Sequence, residues 1–156
     1  MAANHFQKIE DLFLRFLDEF STSDEPQFYH KRFDEMREAD LVTLQVDYKH
    51  IEEFDPSLAE VISAGYYRVL PTLQAALLRF VKSIDLDFAI NEHTKEDMTF
   101  YLSITNYDII NTVRDIRSSS IGRLFAVKGT VTKTSDVRPE LLVGDFSCAV
   151  CITKIN

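Results

Sequence analysis

Residues 121–142 read IGRLFAVKGTVTKTSDVRPELL, and the fold turns on how they are read. Leu124 to Thr134 is too rich in Val, Thr and Phe for a helix and reads as a strand. Gly129 stands where a strongly bent strand needs a missing Cβ, and a coiled strand with a glycine bend is typical of a small barrel. Arg123, Lys128, Lys133 and Arg138 are interleaved with the apolar residues. Long cations on such a surface neutralise phosphates and release counterions, which points to an oligonucleotide-binding barrel. The competing reading is that these cations only keep an exposed face soluble.

Working outward, the 156-residue chain has 46% hydrophobic content, enough for one medium core or two small ones. No apolar run approaches the ~20 residues needed to cross a bilayer, and MAANHFQKIEDLF has neither a cationic start nor a hydrophobic signal core. The expected setting is therefore a soluble protein of the cytosol or nucleus, with no membrane partner. Cys148 and Cys151 are too close in sequence to staple distant parts of a fold and suit metal or redox chemistry. The net charge of −8 is unevenly spread: residues 1–113 hold 10 Lys+Arg against 21 Asp+Glu, and residues 114–156 hold 7 against 4. A first part at −11 and a second at +3 suggests two modules, of which the second attracts a polyanion.

The first module reads as helical. Phe6, Ile9, Phe13, Phe16, Leu17 and Phe20 recur at three- and four-residue spacing, an amphipathic helix that stops at STSDEP. Pro26 opens a shorter helix bearing Phe28, Phe33 and Met36. LVTLQVDY (41–48) changes the period to two, with Val42, Leu44, Val46 and Tyr48 on one side of a strand. Asp55-Pro56 is an N-cap followed by proline at the first helical position, and Pro71 is expected to kink or restart the helix that follows. The apolar stripes are read as the core of a small bundle. His5, His30, His50 and His93 fall at no ligand spacing and are read as ordinary surface or satisfied histidines.

From Met98 the period is two: MTFYLSIT (98–105) alternates Phe100, Leu102 and Ile104 against Tyr101, Ser103 and Thr105. A polar connection, 106–120, leads into the opening stretch, and VGDFSCAVC enters a further strand. The expected class is α+β: a small helical bundle with one strand over 1–97, the leading part of an OB-type barrel over 98–147, and the first half of a zinc ribbon over 148–156.

The ordered combination VRDIRSSSIGRLFAVKGTVTKTSDVRPELLVGDFSC-x-x-C resembles the N-terminal domain of the minichromosome maintenance (MCM) replicative helicase subunits, almost continuously over 114–151. FLRFLDEF, LVTLQVDY and YYRVLPTLQAALLRFVKS extend the resemblance to the front of the chain, most closely to the sixth-subunit branch. The resemblance implies a helical subdomain, an OB barrel lining the channel of a hexamer, and a zinc subdomain inserted between barrel strands. It implies Arg123, Lys133 and Arg138 as DNA contacts, and Cys148 and Cys151 as the first two of four zinc ligands. The partners it implies are DNA, other MCM subunits and replication factors, in the nucleus.

Departures from the family pattern set further expectations. No second cysteine pair follows Cys151, so the tetrahedral set is half present and no stoichiometric zinc is expected in these 156 residues. No GxxxxGK[ST] loop occurs, so no catalytic residue is assigned; ATP and Mg belong to a motor domain outside these residues. The sequence reads as a piece, the helical subdomain plus the leading edge of the barrel. The residues admit two other readings. In one the chain is an acidic protein-interaction module without direct DNA binding. In the other it is a thiol oxidoreductase, but such enzymes set CxxC at a helix N-terminus, whereas here the motif ends a strand.

Overall fold

One face of α1 (Ala2–Glu19) lies along α4 (Pro56–Ile84) in the computed structural model, which describes residues 2–22, 25–91, 95–139, 146–147 and 154–155. Ile9, Phe13, Phe16 and Leu17 supply the buried stripe of α1, continued by Phe20 just past its end, while Leu58, Ile62, Val69, Leu73, Leu77 and Phe80 supply that of α4. Removing each such side chain from water contributes about 1.5–3 kcal/mol, so this seam is the main source of stability in the helical unit. Phe16 sits at its centre, with the rings of Phe13, Phe20, Tyr29 and Phe54 at centroid distances of 4.9 to 5.7 Å. The hydrophobic residue Phe6, at the outer end of the expected stripe, is 37% exposed.

Helix α2 (Phe28–Glu38) closes one side with Tyr29, Phe33 and Met36. Tyr29 Oη accepts from the backbone N–H of Asp47 at 3.3 Å and lies 3.1 Å from His50 Nδ1, so the buried phenol has a partner on each side. Burial drives its pKa well above the ordinary tyrosine value. Strand β1 (Thr43–Asp47) buries Leu44 and Val46 and pairs in parallel with β2 (Tyr101–Thr105), in the register Thr43↔Tyr101 to Asp47↔Thr105. The stretch placed at the head of the barrel by its alternation is thus laddered onto the helical unit.

Between β1 and α4 lies α3 (Tyr48–Phe54), capped by the Asp47 carboxylate, which accepts from Lys49 N at 2.9 Å. The Asp55 side chain caps α4, accepting from the N–H groups of Ser57 and Leu58. Pro71 does not break α4; the non-helical residue is Gly65, at φ −137° and ψ 36°. The carbonyl that Pro71 leaves without an amide is that of Tyr67, a residue 77% exposed, where water can serve it.

Beyond Thr105 the described residues form short strands, 3-10 turns and irregular stretches. β3 (Ile110–Thr112) pairs in parallel with β4 (Ala126–Lys128), and β5 (Phe146–Ser147) pairs antiparallel with β6 (Lys154–Ile155). The long strand expected to run to Thr134 ends at Lys128, because β3 offers a ladder of only three residues. Residues 129–139 carry no regular structure. Gly129 is a point of close approach: a Cβ there would lie 3.2 Å from Val113 Cγ2. The expected half of a zinc ribbon falls on 148–156, and Cys148 and Cys151 lie outside the described residues.

Candidate nucleic-acid interface

The candidate interface begins where the connection from β2 reaches the β3–β4 pair. Tyr107 packs edge-on to Tyr48 and shares a 2.8 Å hydrogen bond with Ser63 Oγ, and Lys49 pairs with Asp108 at 3.1 Å, so the connection is held against α3 and α4. After β3, a 3-10 turn at Val113–Asp115 is closed by a capping box. The Asp115 carboxylate accepts from both Oγ1 and N of Thr112, at 2.7 and 2.8 Å, and these bonds hold its pKa below the ordinary value. The one acidic side chain of this turn is thereby turned onto its own backbone. A second 3-10 turn, Ser118–Ser120, leads to Gly122, whose φ of 81° is in the left-handed region that favours glycine.

Arg123 follows that glycine and is exposed. With Tyr107, Asn111, Ser120 and Phe125 it lines a cleft of about 180 Å³ between the connection and the turn. Lys133 and Arg138 are elsewhere: with Thr134, Ser135 and Asp136 they line one broad, open concavity of about 680 Å³. The structure therefore brings Lys133 and Arg138 together and sets Arg123 on a separate surface. Asp136 lies between the two cations in sequence and on the same concavity.

The charges of the two halves are used differently. In the helical unit Arg15, Lys31, Arg32, Arg37, Lys49, Arg79 and Lys82 are each in an ion pair, Arg79 Nη1 reaching both Glu10 and Asp11 at 2.8 and 3.1 Å. Among the described residues, none of Arg123, Lys128, Lys133 and Arg138 has an acidic partner within 4.0 Å, and all are exposed. Arg117 is also exposed and has no ion pair among the described residues, but donates from Nη1 to the carbonyls of Arg114 and Ile116 at 2.6 and 3.1 Å. The sequence supplied the identities of these cations, but Lys128 and Arg117 were not among its chosen contacts, and only the structure separates bridged from unbridged positions. No group of three or more His, Cys, Asp or Glu that could hold a metal ion occurs among the described residues. Among the described residues, no helix is long and apolar enough to cross a membrane.

Comparison with known proteins follows the same division. Residues 10–106 match the MCM N-terminal domain and residues 112–156 match the MCM OB domain. The chain is 32% identical over 150 residues to the DNA replication licensing factor mcm6 of Schizosaccharomyces pombe, an alignment covering 89% of this chain and 17% of the relative. It is 34% identical over 148 residues to the rice (Oryza sativa subsp. indica) DNA replication licensing factor MCM6, covering 92% and 18%. The Arabidopsis thaliana MCM6 gives 32% over 151 residues, covering 96% and 18%. The chain thus spans less than a fifth of the length of these relatives.

Proposed function

The chain belongs to the MCM family, carrying its N-terminal domain and the start of its OB domain, and from that premise we propose that the segment from Arg123 to Arg138 holds the phosphate backbone of DNA. The observation that carries this reading is the contrast in ion pairing: the helical unit neutralises most of its cations internally, while the OB segment presents Arg123, Lys128, Lys133 and Arg138 to solvent without acidic partners among the described residues. Unbridged cations are free to bind phosphates and so release the counterions condensed on the nucleic acid, which is the main driving force of sequence-independent binding. The acidic helical unit, at −11 over residues 1–113, disfavours a polyanion and serves to position the OB segment.

In this reading the segment works within a hexamer of MCM subunits in the nucleus, beside replication factors, and ATP and Mg are used by a motor outside these residues. The names of the relatives, replication licensing factors, support that setting. Zinc belongs to the same reading. Two thiols three positions apart fit half of a tetrahedral donor set, and the antiparallel β5–β6 pair flanks the stretch that carries them. Cys148 and Cys151 would hold the ion, whose chemistry here is structural, tying the ends of a small module together.

The test is a salt titration. A chain extended past residue 156 through the remaining zinc ligands should bind single-stranded oligonucleotides of unrelated sequence alike. The logarithm of affinity should fall linearly with the logarithm of salt, by about 0.7 per phosphate contacted. Binding that ignores salt, or no binding in the extended chain, would leave the acidic interaction module as the better account.

A further inference from the structure

The break in α4 has an unusual occupant. In an unbroken helix the Ser63 carbonyl accepts from the amide four residues on, that of Tyr67. Here the Ser63 carbonyl accepts from Leu124 N at 3.0 Å, and Tyr67 N donates to the Gly122 carbonyl at 3.0 Å. Residues 122 and 124 thus take up the two groups that Gly65, leaving helical geometry, sets apart. The clip is made by backbone atoms alone. Its side-chain requirements are a residue that lets α4 open and one that can hold φ at 81°, and glycine stands at both positions.

We propose that the Gly65 break and the Gly122 turn form a two-state latch between the helical unit and the OB segment. Docked, Ser63 and Tyr67 bond to the turn and α4 is bent. Released, the Ser63 carbonyl and the Tyr67 amide bond to each other, α4 straightens, and the turn bearing Arg123 is held only through its flanks. Both states satisfy the Ser63 and Tyr67 groups, so release leaves no buried orphan on the helix. The Gly122 carbonyl and Leu124 amide pass to water. The connection stays attached in either state through Ser63 Oγ and Tyr107, and through Lys49 and Asp108. The latch stands whether or not the cations bind DNA.

Two substitutions separate the latch from simple loosening. A Cβ at Gly65 meets nothing within 4 Å, so Gly65→Ala fits the docked state and acts through its greater helix propensity, shifting the balance toward release by about fivefold. Gly122→Ala strains the docked turn through its positive φ, since the nearest atom to an added Cβ, Tyr67 Cβ, is at an ordinary 3.8 Å. Amide hydrogen exchange, resolved by residue on the 156-residue chain, reads both. The latch requires Leu124 N–H to exchange about fivefold faster in Gly65→Ala and faster again in Gly122→Ala. Tyr67 N–H keeps its protection in both variants, because it has a partner in either state, and amides of Phe16 and Leu77 report that the core is intact. Unchanged Leu124 exchange in Gly65→Ala overturns the proposal. So does loss of protection at Tyr67 and Leu124 together, which would mean that the helix unravels instead of closing.

Discussion

Arg37 Nη1 lies 3.2 Å from Asp85 Oδ2, joining the last turn of α2 to the turn that follows α4. The same carboxylate accepts from the N–H groups of Phe88 and Asp87, each at 3.1 Å, so it is both the cap of one turn and the anchor of another element. The Phe88 bond is the largest cause of a pKa below the ordinary 3.8, with the Arg37 bond adding to it.

A lowered folded-state pKa fixes the sign of a pH effect. The stabilisation from Asp85 is fully present above the ordinary carboxylate value and is lost as pH falls through the lowered one. The difference in melting temperature between the native chain and Asp85→Asn should be present at pH 7 and shrink in acid below about pH 4. Thermal melts at a series of pH values check this, and a gap that does not change with pH would remove the assigned role.

Phe16→Ala should cost about 3–5 kcal/mol, the usual range for emptying an aromatic site in a packed core. The four rings around it leave little that can collapse into the space. Lys133→Glu, at an exposed position without an ion pair, should change stability by less than about 0.5 kcal/mol. Urea midpoints of the two variants make the comparison, and similar losses in both would mean that the OB segment carries stability its exposure does not suggest.

Charge reversal separates the proposed contacts from general electrostatics. In the extended chain, Lys133→Glu with Arg138→Glu should weaken oligonucleotide binding equally on all sequences, since phosphate contacts carry no base information. Lys8→Glu, an exposed cation of the helical unit, should leave affinity nearly unchanged. Fluorescence anisotropy at fixed salt reads both; equal losses would make net charge, not position, the determinant.

Zinc content tests the cysteine assignment. The extended chain should contain one ion per molecule, lost in Cys148→Ser, and the 156-residue chain should contain none that survives a chelator, because two thiolates cannot complete the tetrahedron. Elemental analysis after dialysis decides the matter. A tightly held ion in the shorter chain would mean a different ligand set.

What the sequence made legible was local. The α1 stripe and the Asp55-Pro56 start of α4 were readable because periodicity and capping act within a turn or two of the residues that show them. Helix α3 was missed, since YKHIEEF buries only Ile51 fully and so has no period to read. Pro71 was the loudest breaker in α4, yet the break is at Gly65, because the residues that fill it, Gly122 and Leu124, are remote in sequence. The same limit applies to the site. Residue type marked Arg123, Lys133 and Arg138, but their separation onto two surfaces depends on where the three-residue ladder with β3 stops.

The parallel pairing of β1 with β2 also sets an order of events during synthesis. Thr105 Oγ1 reaches the Val46 carbonyl across 59 positions, and α3 and α4 must both be made before that contact can form. Non-local parallel pairing is slow to close, so on a growing chain the β2-facing edge of β1 waits with unpaired amides and carbonyls while the helices are already available to pack. A ribosome that pauses before Thr105 has emerged holds a helical unit with an open strand edge beside Leu44 and Val46, the point at which this chain is most exposed to pairing with the wrong partner.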